Sequence, residues 1–153
     1  MSTVKVLSRD IIVEINTGTD AVENFVEIKG LNSVTFSSAK SDADTTTFDE
    51  GGWGSHIVAN RSRSASIAGF YLVDVETGER DPGQAAVEAL NEAIGPASIG
   101  DFRMKFPGGE VKRFKASVNL AEVGGGNDDP MPWGAELTVS GKVTTTVETG
   151  VQA

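Results

Sequence analysis

Cysteine is absent from the chain, so disulfide staples and thiolate metal sites are excluded and the redox compartment is left open. Histidine occurs once, at His56, which without thiols does not furnish a zinc ligand set. Ser55 adjoins it, but successive side chains of an extended segment point apart, so the two do not make a nucleophile and its base. No apolar run reaches the about 18 residues of a membrane-spanning helix. The N-terminus MSTVKVLSRD lacks the basic-then-apolar layout of a signal peptide. Positive charge is scarce as well: 13 Lys and Arg stand against 22 Asp and Glu, a net −9. Tight binding to phosphate backbones scales with the phosphates neutralised and is disfavoured. A like-charged wall past which DNA slides is compatible with this charge.

What is present suits strands. The 153 residues fit one domain with its own core. Apolar residues make up 39%, with seven Phe, two Trp and one Tyr, and Gly is frequent at 18. Such usage, rich also in Ser, Thr and Val, favours strands and turns over helices. Short extended segments are expected at 11–15 and 24–29, the second with Phe25 and Ile28 inward. Segment 31–38 alternates, with Val34 and Phe36 on the core face. Segment 65–75 is the most hydrophobic, with Ile67, Leu72 and Val73 expected partly buried. Phe102, Met104 and Phe106 alternate with Arg103 and Lys105, then Pro107-Gly108-Gly109 turns the chain into a strand with Phe114, Ala116, Val118 and Leu120 on one face. A last strand over 133–147 alternates Leu137, Val139, Gly141 and Val143.

One helix is expected over 84–94. Asp81 is placed to cap it, Pro82 fits its first turn, and Gly95-Pro96 ends it. Val87, Leu90 and Ile94 form its inward stripe. The architecture predicted is mainly β: a β-sandwich or partly closed barrel with one flanking α-helix and a long projecting β-hairpin loop. The chain divides into an N-terminal arm (1–10), a β-domain (11–147) and a flexible C-terminal tail (148–153).

Between the strands ending near 38 and beginning near 65 lies a polar, Thr-rich excursion, DADTTTFDEGGWGSHIVANRSRS. It carries no catalytic cluster, and an extended hairpin of this kind reaches for another chain. Asp44, Thr46, Phe48, Asp49, Glu50, Trp53, His56, Arg61 and Arg63 are its candidate assembly residues. Trp53 is read as an interface anchor. Asp44, Asp49 and Glu50 with the neighbouring threonines offer oxygen ligands, but their spacing does not match a calcium loop; they are read as solvated or intersubunit charge. Arg61 and Arg63 share a face if extended, and either pair with loop carboxylates across subunits or are solvated. Trp133 is read as a core or strand-entry residue. Glycine runs 108–109 and 124–126 lack the lysine and Ser/Thr order of a phosphate loop.

The segments GLNSVTFSSAKSDADTTTFDEGGWGSHIVANRSRSASIAGFYLVD, DPGQAAVEALNEAIG and FKASVNLAEVGGGNDDPMPWGAELTVSGKV together resemble the major tail tube proteins of bacteriophages with long, non-contractile tails. The resemblance covers about residues 20–147. It implies a structural virion protein, not an enzyme, synthesised in the host cytoplasm and free of cofactors and membrane. It further implies self-assembly into stacked hexameric rings around a tape-measure protein, capped by a tail terminator and by tail-tip or baseplate proteins. Double-stranded DNA then passes through the tube without specific binding. The loop 38–60 corresponds to the assembly loop of the family and residues 1–10 to its bridging arm. Arg103, Lys105, Lys112 and Lys115 lie on strands that could face the lumen. Three alternatives stay open on the residues alone: a terminator ring, a hub or inner tube of a contractile system, and a carbohydrate-binding β-sandwich using Trp53, Tyr71 and Trp133.

Overall fold

The computed structural model describes residues 3–148; the tail predicted at 148–153 falls, but for its first residue, outside them. Seven strands form a single antiparallel sheet: β1 (Ile12–Asn16), β2 (Phe25–Glu27), β3 (Leu31–Asp44), β4 (His56–Phe70), β5 (Gly100–Lys105), β6 (Glu110–Leu120) and β7 (Pro132–Val147). Their spatial order is β2-β1-β5-β6-β7-β4-β3. The mainly β class, the flanking helix and the long hairpin are as the sequence predicts. Of the two architectures expected, the single curled sheet corresponds to the partly closed barrel.

The curl follows from the connectivity. β2 and β3 are the two edges of the sheet, yet only residues 28–30 join them, a link of at most ~14 Å. The sheet therefore wraps until its edges nearly meet at that end. Ile28, buried, donates its amide to the Val13 carbonyl at 2.9 Å, and Gly30 takes φ +82 to turn the chain. Further along, the Phe36 ring on β3 reaches the Phe114 ring on β6 at 5.6 Å across the inside of the curl.

The inner face holds Val13, Ile15, Ile67, Phe102, Met104, Phe114, Ala116, Trp133, Ala135 and Leu137, all essentially buried. The alternation seen in the sequence puts them there. Leu31 joins them although it is out of step with Val34 and Phe36, because the β3–β4 register shifts between Leu31 and Ser33. Val73 does not: the strand stops at Phe70, and Val73 is 53% exposed in the turn that follows.

Helix α1 (Pro82–Glu92) covers the opening where the edges meet. Asp81 caps it, its carboxylate accepting from the Gln84 amide and also from the Lys29 amide of the β2–β3 link. Gly83 allows close approach: a Cβ there would lie 2.4 Å from the Glu27 carbonyl oxygen. Val87 is fully buried and Leu90 half-buried, as predicted. Ile94 is a correction. The helix ends at Glu92, so Ile94 leaves the inward stripe and is 91% exposed. Gly95 at φ +73 and Pro96 stop the helical path too early for another apolar turn.

Candidate assembly surface

β3 and β4 pair continuously from Leu31–Gly69 out to Asp44–His56, but only the inner half of this hairpin belongs to the body. The reason is in the residues. Down the core face the pairs run Val34–Ile67 and Phe36–Ala65, then Ser38–Arg63 and Lys40–Arg61. The buried apolar side chains end at Phe36 and Ala65; farther out, Ile57 and Val58 are 61% and 51% exposed, with no core to cover them. Most residues from Ser37 to Arg61 are exposed on both faces. The sequence shows this stretch as separate pieces because alternation fails there; the ladder nevertheless runs through it.

The hairpin is closed by residues 45–55, a tip ordered by its own hydrogen bonds. The Thr45 amide donates to the Ser55 carbonyl at 3.0 Å, the Ser55 amide to Thr46 Oγ1 at 2.9 Å and the Thr46 hydroxyl to the Ser55 carbonyl at 3.2 Å. Asp44 accepts from the Thr46 amide at 2.9 Å, Asp49 accepts from the Thr47 hydroxyl, and Glu50 accepts from Ser55 Oγ at 3.2 Å. The Thr46 contacts hold the Asp44 carboxyl below its usual range. For Asp49 the Thr47 hydroxyl and then its own amide do the same. Phe48 and Trp53 are exposed at 109% and 80%, and His56 lies 3.7 Å from Asp42. The predicted residues from Asp44 to His56 thus come together as one acidic tip with two solvated aromatic rings.

Arg61 and Arg63 do not join that tip. They lie farther down β4 at a fork in the sheet. β4 pairs with β7 only from Ser64–Thr138 inward. Beyond that point β7 stays with β6 across a bulge, in which residues 141–143 of β7 stand opposite Phe114 and Gly141 takes φ +89. The strands part, leaving a cleft of about 590 Å³ lined by Arg61, Ser62, Arg63, Val139, Gly141, Lys142 and Val143. Among the described residues, Lys40, Arg61, Arg63 and Lys142 form no ion pair. Lys40 stands directly across from Arg61, a like-charge pair that destabilises an isolated ladder. Lys40 and Lys142 are missing from the sequence-based set. The signal for the second was Gly141, since an isolated glycine in an alternating strand marks a bulge.

Lys5, Arg9 and Lys29 also lack an ion pair among the described residues, but the cations of β5 and β6 are paired within the chain. Arg103 and Lys105 share Glu14 at 3.0 and 3.3 Å, and Lys112 meets Glu110 at 2.9 Å. Arg113 meets Asp101 and Glu23, each at 2.6 Å, and both raise its pKa, Asp101 more. Lys115 lies 3.8 Å from Asp20. Phe25 sits against the Arg103 and Arg113 guanidinia at 4.0 and 5.1 Å. The outer face of β3, β4, β7 and β6 is different: Ser33, Thr35, Ser37, Ser64, Ser66, Thr138, Ser117 and Asn119 follow one another in register, with Glu136 beside them. It is a continuous band of short, mostly uncharged side chains.

The curled antiparallel sheet thus carries a solvated hairpin arm and a fork of open strand edges. A family model of the phage tail tube protein matches residues 5–145, and the chain belongs to that family. It is a structural protein of the virion tail. No curated protein sequence matches it. Among solved structures, the tail of the empty gene transfer agent particle, refined with C6 symmetry, is similar with a TM-score of 0.71 and 17% identity, over 94% of this chain and 100% of that one. The virion of the native gene transfer agent gives a TM-score of 0.65 at 19% identity, over 94% and 100%. The SPP1 tail tube gives 0.64 at 15% identity, over 94% and 80%. At these identities the likeness is one of fold.

Proposed function

We propose that copies of this chain close into six-membered rings, that the rings stack into a tube around a tape-measure protein, and that the tube conducts double-stranded DNA once that protein has left. A tail terminator and tail-tip or baseplate proteins would bound the tube. The observation that carries the reading is the hairpin arm, paired to its tip yet bare on both faces. A two-stranded ribbon is marginal alone in water, and long open edges invite uncontrolled pairing. A ring closed by heterologous contacts covers the edges and leaves stacking open-ended. Two similar folds come from assemblies of this order: the C6-refined tail of the gene transfer agent and the six-fold symmetrised anti-feeding prophage baseplate, whose chain gives a TM-score of 0.62 at 9% identity.

The hydroxyl-lined outer face suits the bore, since short neutral side chains offer phosphates nothing to hold. If the strands carrying Arg103, Lys105, Lys112 and Lys115 line it instead, those cations already have carboxylate partners. Little free positive charge meets the DNA either way. Negative-stain electron microscopy of the purified protein over a concentration series is the test. Uniform hollow tubes with six-fold end views are expected. Closed rings that never stack would assign the chain as a terminator or hub component, and a monomer at every concentration would remove the self-assembly reading.

A further inference from the structure

On the reading that rings of this chain stack, we infer that the cationic cleft at the β4–β7 fork is the socket for the hairpin tip of a second copy. Asp49 and Glu50 of one copy meet Arg61, Arg63 and Lys142 of the next, and an aromatic ring of the tip covers Val139 and Val143. The cleft specifies the chemistry of its occupant. Its floor is apolar, its rim carries cations with no partner among the described residues, and no carboxylate lines it. On a chain of net −9 that concentration of unanswered positive charge, raised further by Lys40 opposite Arg61, needs an anionic, partly apolar partner.

The tip has that composition. Residues 41–55 contain Asp42, Asp44, Asp49 and Glu50 and no Lys or Arg, and they present Phe48 and Trp53 to solvent. The tip cannot reach the cleft of its own chain. The ladder from Arg63 to His56 is paired throughout with β3 and holds the tip about 20 Å away at ~3.3 Å per residue. The contact is therefore between copies, and because socket and tip are different surfaces it propagates from copy to copy. Two other exposed segments compete. The acidic loop 121–131 is tied to the body at both ends, Ala121 to Gly134 and Met131 to Tyr71, and so does not project as the tip does. The N-terminal arm has Val4 and Val6 in solvent. It brings Lys5 and Arg9 and would set cation against cation.

Exchange of charge tests this. R61E/R63E alters side chains without ion-pair partners, and D49K/E50K alters carboxylates bonded only within the tip. D49K/E50K should therefore melt as the wild type does, and R61E/R63E no lower, since it also removes the like charge that faces Lys40. Neither variant alone should form tubes at about ten times the wild-type critical concentration. An equimolar mixture should form them, because each variant supplies the socket that the other's tip now fits. If either variant assembles alone as the wild type does, or if the mixture stays dispersed, the assignment of tip to cleft is overturned while stacking stands. The first of those results together with loss of oligonucleotide retention in R61E/R63E would make the cleft a nucleic-acid contact. A wild type that never passes beyond a monomer or single ring overturns the stacking reading itself, and this inference with it.

Discussion

A glutamine with no exposed surface must have both ends of its amide satisfied, and Gln84 does. Its Nε2 donates to the Phe70 carbonyl at 2.8 Å and to the Lys29 carbonyl at 3.0 Å. Its Oε1 accepts from the Leu72 amide at 3.1 Å and from Arg80 at 3.3 Å. One side chain thus ties α1 to the link between the sheet edges and to the end of β4. Gln84→Leu would keep the volume and strand those backbone groups. A loss of about 3 kcal/mol is expected, read as a lowered urea midpoint with unchanged slope. Gly69→Ala should be worse, since its Cβ would lie 2.0 Å from the Gly30 carbonyl oxygen and both are backbone-fixed. Trp133 could be read from the sequence, as an aromatic at the head of an alternating strand, and it is buried with its indole donating to Glu88 at 3.2 Å. Gln84 could not. Three residues after Asp81 it looks like an ordinary first-turn residue, and its partners lie 14 and 55 residues away in the chain.

At the scale of elements, the hairpin separates into a base that the core holds and an arm that it does not. Its strands were legible only as far as Ser38 and back from Ala65, because pattern reading depends on one face being buried. Deletion of residues 42–56 removes the tip and leaves 57–59 to connect Ser41 to Asn60, which already pair. A folded monomer that forms no tubes is the expected product, checked by circular dichroism beside microscopy. The tip also has its own acid limit. Asp44 and Asp49 are held below the usual 3.8 by hydrogen bonds that favour their charged forms. Folded values that lie below the unfolded ones contribute order that is present above pH 3.8 and lost as the pH falls through the lowered values. The Thr46 amide resonance, followed by NMR against pH, should titrate with a midpoint under 3.8. A midpoint at or above that value would show that the tip bonds do not hold in solution.

For the molecule as a whole, periodicity revealed the class, the helix over one opening and most of the core, and left a sandwich and a partly closed barrel both open, but it did not reveal the strand order. That β2 and β3, neighbours in the chain, end on opposite edges of one sheet is a matter of long-range pairing that no local pattern encodes. Net charge, by contrast, is visible in the sequence and acts on assembly. Each copy carries −9, so copies repel over their full diameter, whereas the proposed tip and cleft charges would meet within a few ångströms. Salt separates the two by range. Raising ionic strength from 0.01 to 0.1 M shortens the Debye length from about 30 to about 10 Å, which removes the repulsion between bodies and spares the contact. Near 1 M it is about 3 Å, short enough to weaken the contact as well. The critical concentration for tubes, measured by sedimentation, should therefore pass through a minimum near physiological salt. A critical concentration that only falls up to 1 M would mean that burial of apolar surface holds the rings together, and that the acidic tip is no more than a solvated end.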